Sequence, residues 1–501
     1  MPATPAEPDA FAPARRGFDE MVCWLEGTES AALSHAELED QVERRGRELQ
    51  RLILQDHLDL RALREQRVRP VDATGIVHAN VEPGHSRRLA TVVGAVSVRR
   101  LAYRHPRTSN LHPADGALNL PAELHSHGMR RLAAIESSRG SFDDASEAIE
   151  RSTGVAVAKR QVESLAAAAA ADIEGFYAAS APEPGASGDV MVISVDGKGI
   201  VMRPDALRKA TATAAGAATA KLGTRLSKGE KRYRKRMAEV GAVYDVTPVA
   251  RSATDVLASK HGDGPTPPPP APKATGKWVT ASVAEDAAQV VTRVFDEAER
   301  RDPGHRRCWV ALVDGNNHQI DRINTEAESR NLKVTVVVDL IHVMEYIWSA
   351  AWCFFDEGDR AAEDWVRDKT LAVLEGHTAD VAAGIRRRAS TARLTKAKRK
   401  NADTCATYLN NKAPYLDYPT ALAAGWPIAT GIIEGSCRYL VADRMDITGA
   451  RWSVDGAEAV LKLRAVRANG DFDDYWAFHL DQERRRVHES RYADGVIPLA
   501  A

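Results

Sequence analysis

Three apolar runs in this chain each stop at an aspartate. Val190-Met-Val-Ile-Ser-Val leads into Asp196-Gly-Lys-Gly, Cys308-Trp-Val-Ala-Leu-Val into Asp314-Gly-Asn, and Val334-Thr-Val-Val-Val into Asp339-Leu-Ile-His342. Runs this short and this β-branched read as strands buried on both faces. Strand ends along one edge of an α/β sheet are where sites are commonly built. A further acid, Glu434, opens a helix between Gly431 and Gly435, small neighbours that let a phosphodiester backbone come close. Carboxylates suit Mg²⁺, which takes oxygen ligands and shares its shell with phosphate and water. Three of them around two ions about 4 Å apart make a two-metal phosphoryl-transfer site. Asp196, Asp314 and Glu434 are the candidate metal-holding and catalytic residues.

Each residue also has an ordinary role. Asp-Gly is the strongest short hairpin signal, so Asp196 and Asp314 fit turns. Glu434 stands four residues before Arg438, as in a helical ion pair. Asp339 suits the N-cap of the helix that follows, with His342 in its first turn. Taken singly, these readings are the better ones. Their joint order favours a site: acid after strand, acid after strand, acid on helix.

The elements that must position them follow an α/β pattern. An amphipathic helix over 281–301 precedes the 308–313 strand, a helix over about 317–330 the 334–338 strand, and another runs on from Asp339. A further strand is expected from Val240 to Pro248. Residues 345–425 carry helical patterns, no strand, and the basic clusters Arg386-Arg-Arg388 and Lys396-Ala-Lys-Arg-Lys400. Upstream, Ser34-His-Ala-Glu37 has capping-box form and opens a long helix with Leu38, Val42, Leu49, Leu52 and Ile53 on one face. Residues 91–103 alternate with period two, as in a β-ribbon, with Arg99, Arg100 and Arg104 on or near it. Helices around 142–152 and 159–165, broken by Thr153-Gly154, fit a helix-turn-helix whose second helix starts with Lys159 and Arg160. A basic stretch, Lys231-Arg232-Tyr233-Arg234-Lys235-Arg236, has the charge density of a phosphate-tracking surface.

These motifs together resemble the DDE transposases of bacterial insertion sequences, specifically the ISKra-type family, related in layout to Mutator-like enzymes. The resemblance rests on Ile193-Ser-Val-Asp196-Gly-Lys-Gly199, Ala311-Leu-Val-Asp314-Gly-Asn316, Asp339-Leu-Ile-His342, Gly431-Ile-Ile-Glu434-Gly435, and Arg444 through Gly449-Ala-Arg451-Trp452-Ser453. It implies an α/β, RNase H-like catalytic core with Asp196 on the first strand and Asp314 on the fourth. Glu434 would follow an all-helical insertion, and a mostly helical DNA-binding region would precede the core. Asp339 and His342 match an accessory motif and would support the acids. Asp339 is also the alternative second acid; the Val-Asp-Gly context prefers Asp314, and spacing does not choose. The implied divisions are a tail at 1–16, an N-terminal region at 17–180, and the first part of the core at 189–344 with a basic, Pro-rich elaboration at 202–277. An insertion at 345–425, the last part of the core at 426–480 and a tail at 481–501 complete it.

Implied cofactors are two Mg²⁺ or Mn²⁺ ions, with no structural zinc. Implied partners are DNA, as terminal inverted repeats and target, and further copies of the chain. Candidate DNA contacts are Lys159, Arg160, Lys231, Arg232, Arg234, Lys235, Arg438, Arg444, Arg451 and Trp452. The competing readings are a catalytically inactive DNA-binding descendant of a transposase and a metal-dependent nuclease without strand transfer.

Bulk properties agree with a cytoplasmic enzyme of more than one domain. The 501 residues exceed one compact core. A net charge of −1 makes local clusters, not overall basicity, the source of any nucleic-acid surface. Five scattered cysteines form no Cys-x-x-Cys pair, which argues against a zinc ribbon or disulfide framework. The N-terminus lacks the apolar stretch of a signal peptide, no run reaches bilayer length, and neither a membrane nor a small-molecule cofactor is expected.

Overall fold

The chain divides into two units, Met1–Ala179 with Gly470–Ala501, and Ser180–Asn469. The computed structural model describes residues 9–182, 185–217, 234–258, 268–447 and 449–498.

In the first unit the capping box forms as its sequence requires: Ser34 and Glu37 cap the helix His35–Arg64 reciprocally. Leu54 and Leu58 pack against Leu89, Val96 and Val98, Leu49 and Leu52 of the expected face lie against Gly17, and Ile53 is exposed. Those valines lie on a hairpin of β1 (Asn80–Thr91) and β2 (Gly94–Arg104). The three arginines of β2 have acid partners: Arg99 with Asp59, Arg100 with Asp115 and Arg104 with Glu82. The helices His127–Arg139, Phe142–Thr153 and Lys159–Ala169 share a core of Met129, Ala133, Ile149, Val162 and Leu165. Gly154, at φ +69°, makes the left-handed break between the last two, a conformation that favours glycine. A helix, Ala12–Leu25, begins inside the stretch expected as a tail. The helix Phe472–Val487 belongs to this unit, so the division falls at 469/470 rather than at 480.

The second unit is built on a mixed sheet in the order β5-β4-β3-β6-β7. The strands are β3 (Val190–Val201), β4 (Lys235–Val246), β5 (Ala274–Ser282), β6 (Trp309–Val313) and β7 (Val334–Val338). β4 is antiparallel to both β3 and β5, while β6 and β7 run parallel to β3. The expected end of the first strand at Asp196 is corrected. β3 runs straight through Asp196-Gly-Lys-Gly to Val201, because β4 continues to pair with it as far as Lys235. The glycines serve close approach, not a turn. A Cβ on Gly197 would meet Met237 Cε at 2.8 Å and Glu239 Oε2 at 3.0 Å.

The helix Ala287–Arg301, capped by Asp286, buries Val290, Val294 and Phe295. Val294 sits so close to Gly241 of β4 that a Cβ there has no room. Gly241→Ala is therefore expected to cost about 1–3 kcal/mol by overpacking. Urea denaturation would read this as a lower midpoint with an unchanged slope.

Among the described residues, 345–425 contain no strand. The helices Leu340–Ala351, Arg360–Leu374, Thr378–Thr391, Lys400–Lys412 and Tyr418–Ala423 occupy the block. The chain then enters the helix Gly431–Ser436, a π-helical stretch Cys437–Ala442, and the helix Val454–Asn469. Arg464 donates to the carbonyls of Tyr439 and Leu440, two of the groups that the wider turn carries. No helix of the described residues is long and apolar enough to cross a membrane.

Candidate metal centre

Register brings the aspartates to one level. β3 pairs β6 through Ser194↔Leu312, and β6 pairs β7 through Val313↔Val338. Continuing the two ladders sets Asp196 beside Asp314 and Asp314 beside Asp339. Neighbouring strands lie roughly 4.8 Å apart, so three acids stand along one sheet edge.

Each is held differently. Asp196 is partly buried within β3, where Gly197 N–H donates to its Oδ1 at 2.6 Å and the Cys437 thiol to its Oδ2 at 3.3 Å. Asp314 forms an Asx turn. Asn316 N–H donates to its Oδ1 at 2.7 Å, Gly315 takes φ +89°, and the Tyr408 hydroxyl donates to its backbone carbonyl at 3.3 Å. Asp339 is fully buried. It caps the helix Leu340–Ala351 through Ile341 N–H at 2.6 Å, and it accepts from Thr430 N–H at 2.8 Å and from the Thr430 hydroxyl.

Thr430 is also the N-cap of the helix that carries Glu434. Asp339 thus ties the end of β7 to the start of that helix, and Cys437, three residues past Glu434, ties it to Asp196. The expected ion pair of Glu434 with Arg438 is not among the contacts of the described residues; Arg438 lies 3.8 Å from Asp443. Glu434 Oε1 instead faces His342 Nε2 at 3.8 Å, and His342 Nδ1 lies 3.2 Å from Glu345. Ligand atoms of Asp339, His342 and Glu434 fall within 4.8 Å of one another. Asp196 and Asp314 are not members of that group, so the geometry does not draw the sequence-derived set of Asp196, Asp314 and Glu434 into one ion-sized cluster. It brings in Asp339 and His342, for which the resemblance implies supporting roles.

No family model matches the chain, and no curated protein is significantly similar to it.

The electrostatics are those of an acid cluster short of positive charge. Burial pushes the Glu434 carboxyl above its ordinary range, Asp339, Glu345 and Asp196 push it further, and His342 opposes them. Glu239, which sequence reasoning passed over, lies opposite Gly197 on β4. Its carboxyl is also raised, by burial first and then by Asp196 and Asp286, against Arg208. The expected strand began at Val240; carrying the alternation back to Lys235 would have found it. Burial, and then Asp196, push the Cys437 thiol up, so it stays a protonated donor. Crowded carboxyls of this kind are the donors that a divalent cation satisfies. Carboxylates alone suit Mg²⁺, whereas the Asp339–His342–Glu434 group adds an imidazole, which suits Mn²⁺ or Zn²⁺ better.

Linkage fixes the sign of the pH effect. A carboxyl that holds its proton more tightly when folded stabilises the fold at low pH, and this is lost as pH rises through its raised value. Glu434→Gln is therefore expected to melt progressively higher than the wild type as pH rises from 4 towards 7. Mg²⁺ or Mn²⁺ should raise the melting temperature of the wild type at neutral pH and that of the variant less. Thermal melts across pH, with and without metal, check both; equal melting at every pH would remove the acid cluster as a source of strain.

The candidate DNA contacts separate by burial. Arg438, Arg451 and Arg160 are exposed. Lys159 is exposed but pairs with Asp143. Arg234 and Lys235 are partly buried, with Lys235 3.6 Å from Asp446. Arg444 and Trp452 are buried: the guanidinium lies 4.7 Å over the indole ring, and the indole N–H donates to the Met445 carbonyl. They hold the chain after the π-helical stretch and present no surface to DNA. Lys231 and Arg232 lie outside the described residues.

Proposed function

We propose that this chain is a DDE-type DNA transposase of the ISKra-type class, with an RNase H-like core that cleaves element ends and joins them to target DNA. One observation carries the reading. Asp196 lies on the first strand of the second unit's sheet and Asp314 directly after the fourth, at the same level, with Glu434 on a late helix tethered beside them. The all-helical block between β7 and that helix matches the insertion that the resemblance implies, and the Gly154-broken helix pair suits DNA recognition.

Asp196, Asp314 and Glu434 would hold the ions, with Asp339 and His342 bracing Glu434. Bound Mg²⁺ or Mn²⁺ supplies Lewis-acid charge and an activated water. In the first reaction a water oxygen bonds to phosphorus at the element end and the 3′ oxygen leaves as a free 3′-OH. In the second, that 3′-OH attacks a target phosphodiester and displaces the target strand's 3′ oxygen. The chain contributes positioning and charge, not a covalent intermediate.

The test is incubation of the full chain and Mg²⁺ with DNA carrying the inverted repeats that flank its gene, as intact and as pre-cut ends. Cleavage of the first and joining of the second support the reading. Cleavage without joining points to a nuclease, and binding without either to an inactive descendant.

A further inference from the structure

The basic clusters of the helical block have no part in the site described so far. Residues 386–400 contain eight arginines and lysines and no acid. Two have internal duties: Arg388 lies over the rings of Phe354 and Phe355, and Arg399 pairs with Asp403. Lys396, Lys398 and Lys400 are exposed and make no ion pair among the described residues. Arg386 donates to the Thr407 hydroxyl and makes no ion pair among the described residues.

Lys396 and Lys400 line an open groove together with Tyr346, Thr404, Tyr408 and Asp403, the last neutralised by Arg399. Its aromatic floor is a stacked pair, Tyr346 and Tyr408, with ring centroids 3.8 Å apart and planes 14° from parallel. Both tyrosines are partly exposed, and both also line the neighbouring pocket that holds Asp314, His342 and Glu345. A cationic groove thus runs over an aromatic floor into the acid pocket. Cations follow a backbone of either form, but an aromatic platform engages base faces, which a duplex hides.

We propose that this groove binds a single DNA strand, its phosphates on the 386–400 cations and a base against the tyrosine pair, and feeds it into the pocket at Asp314. The inference rests on the phosphoryl-transfer reading for its ligand and goes beyond it in naming the form: the site works on a locally melted strand.

Fluorescence anisotropy without divalent metal tests it, using a labelled mixed-sequence single-stranded oligonucleotide, its duplex, and the full chain. The combined variant Lys396→Glu/Lys398→Glu/Lys400→Glu, all at exposed positions, should weaken single-strand binding at least tenfold and flatten its log–log salt dependence by about 2. Tyr346→Ala should lose about tenfold on the single strand and little on the duplex, while Tyr346→Phe, which keeps the stack, should bind like the wild type. Equal losses on both forms, or unchanged binding in the lysine variant, would overturn the groove. Mg²⁺-dependent cleavage is assayed separately. Residue-dependent single-strand binding without any cleavage supports the groove while removing the transposase reading. Wild-type cleavage with unaltered binding in the lysine variant removes the groove alone.

Discussion

Asp314→Asn is expected to lower Mg²⁺-dependent DNA cleavage by about 10³-fold or more while leaving the melting temperature almost unchanged. The substitution keeps the shape and the acceptor that Asn316 N–H needs, because an amide oxygen can take that bond. What goes is the negative charge for a cation, and losing Lewis-acid stabilisation worth several kcal/mol is a thousandfold effect. Asp196→Asn and Glu434→Gln should lose cleavage alike, the latter with the raised melting temperature that relief of its strained carboxyl brings. Asp339→Ala should act differently. Its carboxylate is fully buried and satisfies Ile341 N–H and both donors of Thr430, so removal deletes a helix cap and leaves buried donors unpaired. That is expected to cost about 2–4 kcal/mol and to release the start of the Glu434 helix. Asp339→Ala should therefore lose stability and activity together, and Asp314→Asn activity alone. Measured side by side, cleavage rates and melting temperatures decide which aspartate is the second acid. Full activity in Asp314→Asn with loss confined to Asp339→Asn would transfer the role to Asp339.

The strands were legible where burial on both faces leaves an apolar run that little else explains. β3, β6 and β7 read directly for that reason, and the helical block read from its 3.6-residue spacing. Asp196 misled because Asp-Gly has two uses, tight turns and close strand approach, and only the pairing of β4 opposite tells them apart. β4 itself began late in the sequence reading, since Lys235, Arg236 and Glu239 look like surface until the neighbouring strand half-buries them. The tie from Cys437 to Asp196 spans more than 200 residues, and nothing local marks it. Arg444 and Trp452 looked like DNA contacts because an arginine and an aromatic have the right chemistry; their mutual stacking in the interior exists only in three dimensions. The caps, by contrast, were visible because they are local: Ser34 with Glu37, and Asp339 before its helix.

The largest stability loss in the first unit is expected at Arg130. Its side chain is fully buried on the helix His127–Arg139, where Nη1 donates to Glu483 Oε2 at 2.7 Å and Nη2 lies 3.3 Å from His479 Nε2. His479 Nδ1 in turn meets Asp172 at 2.7 Å, and Arg486 bridges Asp172 and Glu483. Burial would raise the Glu483 carboxyl, but Arg130 and Arg486 hold it down to about 2. Burial, and then the charge of Arg130, push His127 down to about 4. Arg130→Met should cost about 3–5 kcal/mol, because it strands part of a buried charge network. Adding Glu483→Leu should recover much of that loss, since a buried pair replaced on both sides by apolar groups is often close to neutral. The network also sets an acid limit. His127 contributes stability above about pH 6.5 that is lost as pH falls towards 4, and Glu483 contributes stability above about pH 4.5 that is lost as pH falls towards 2. Hydrogen exchange over the helix His127–Arg139 reads this unit separately from the rest of the chain. Protection there should fall with acid in the wild type, collapse at neutral pH in Arg130→Met, and return in the double variant. Equal protection in the wild type and Arg130→Met would mean that the neighbouring helices, not the charges, hold this unit together.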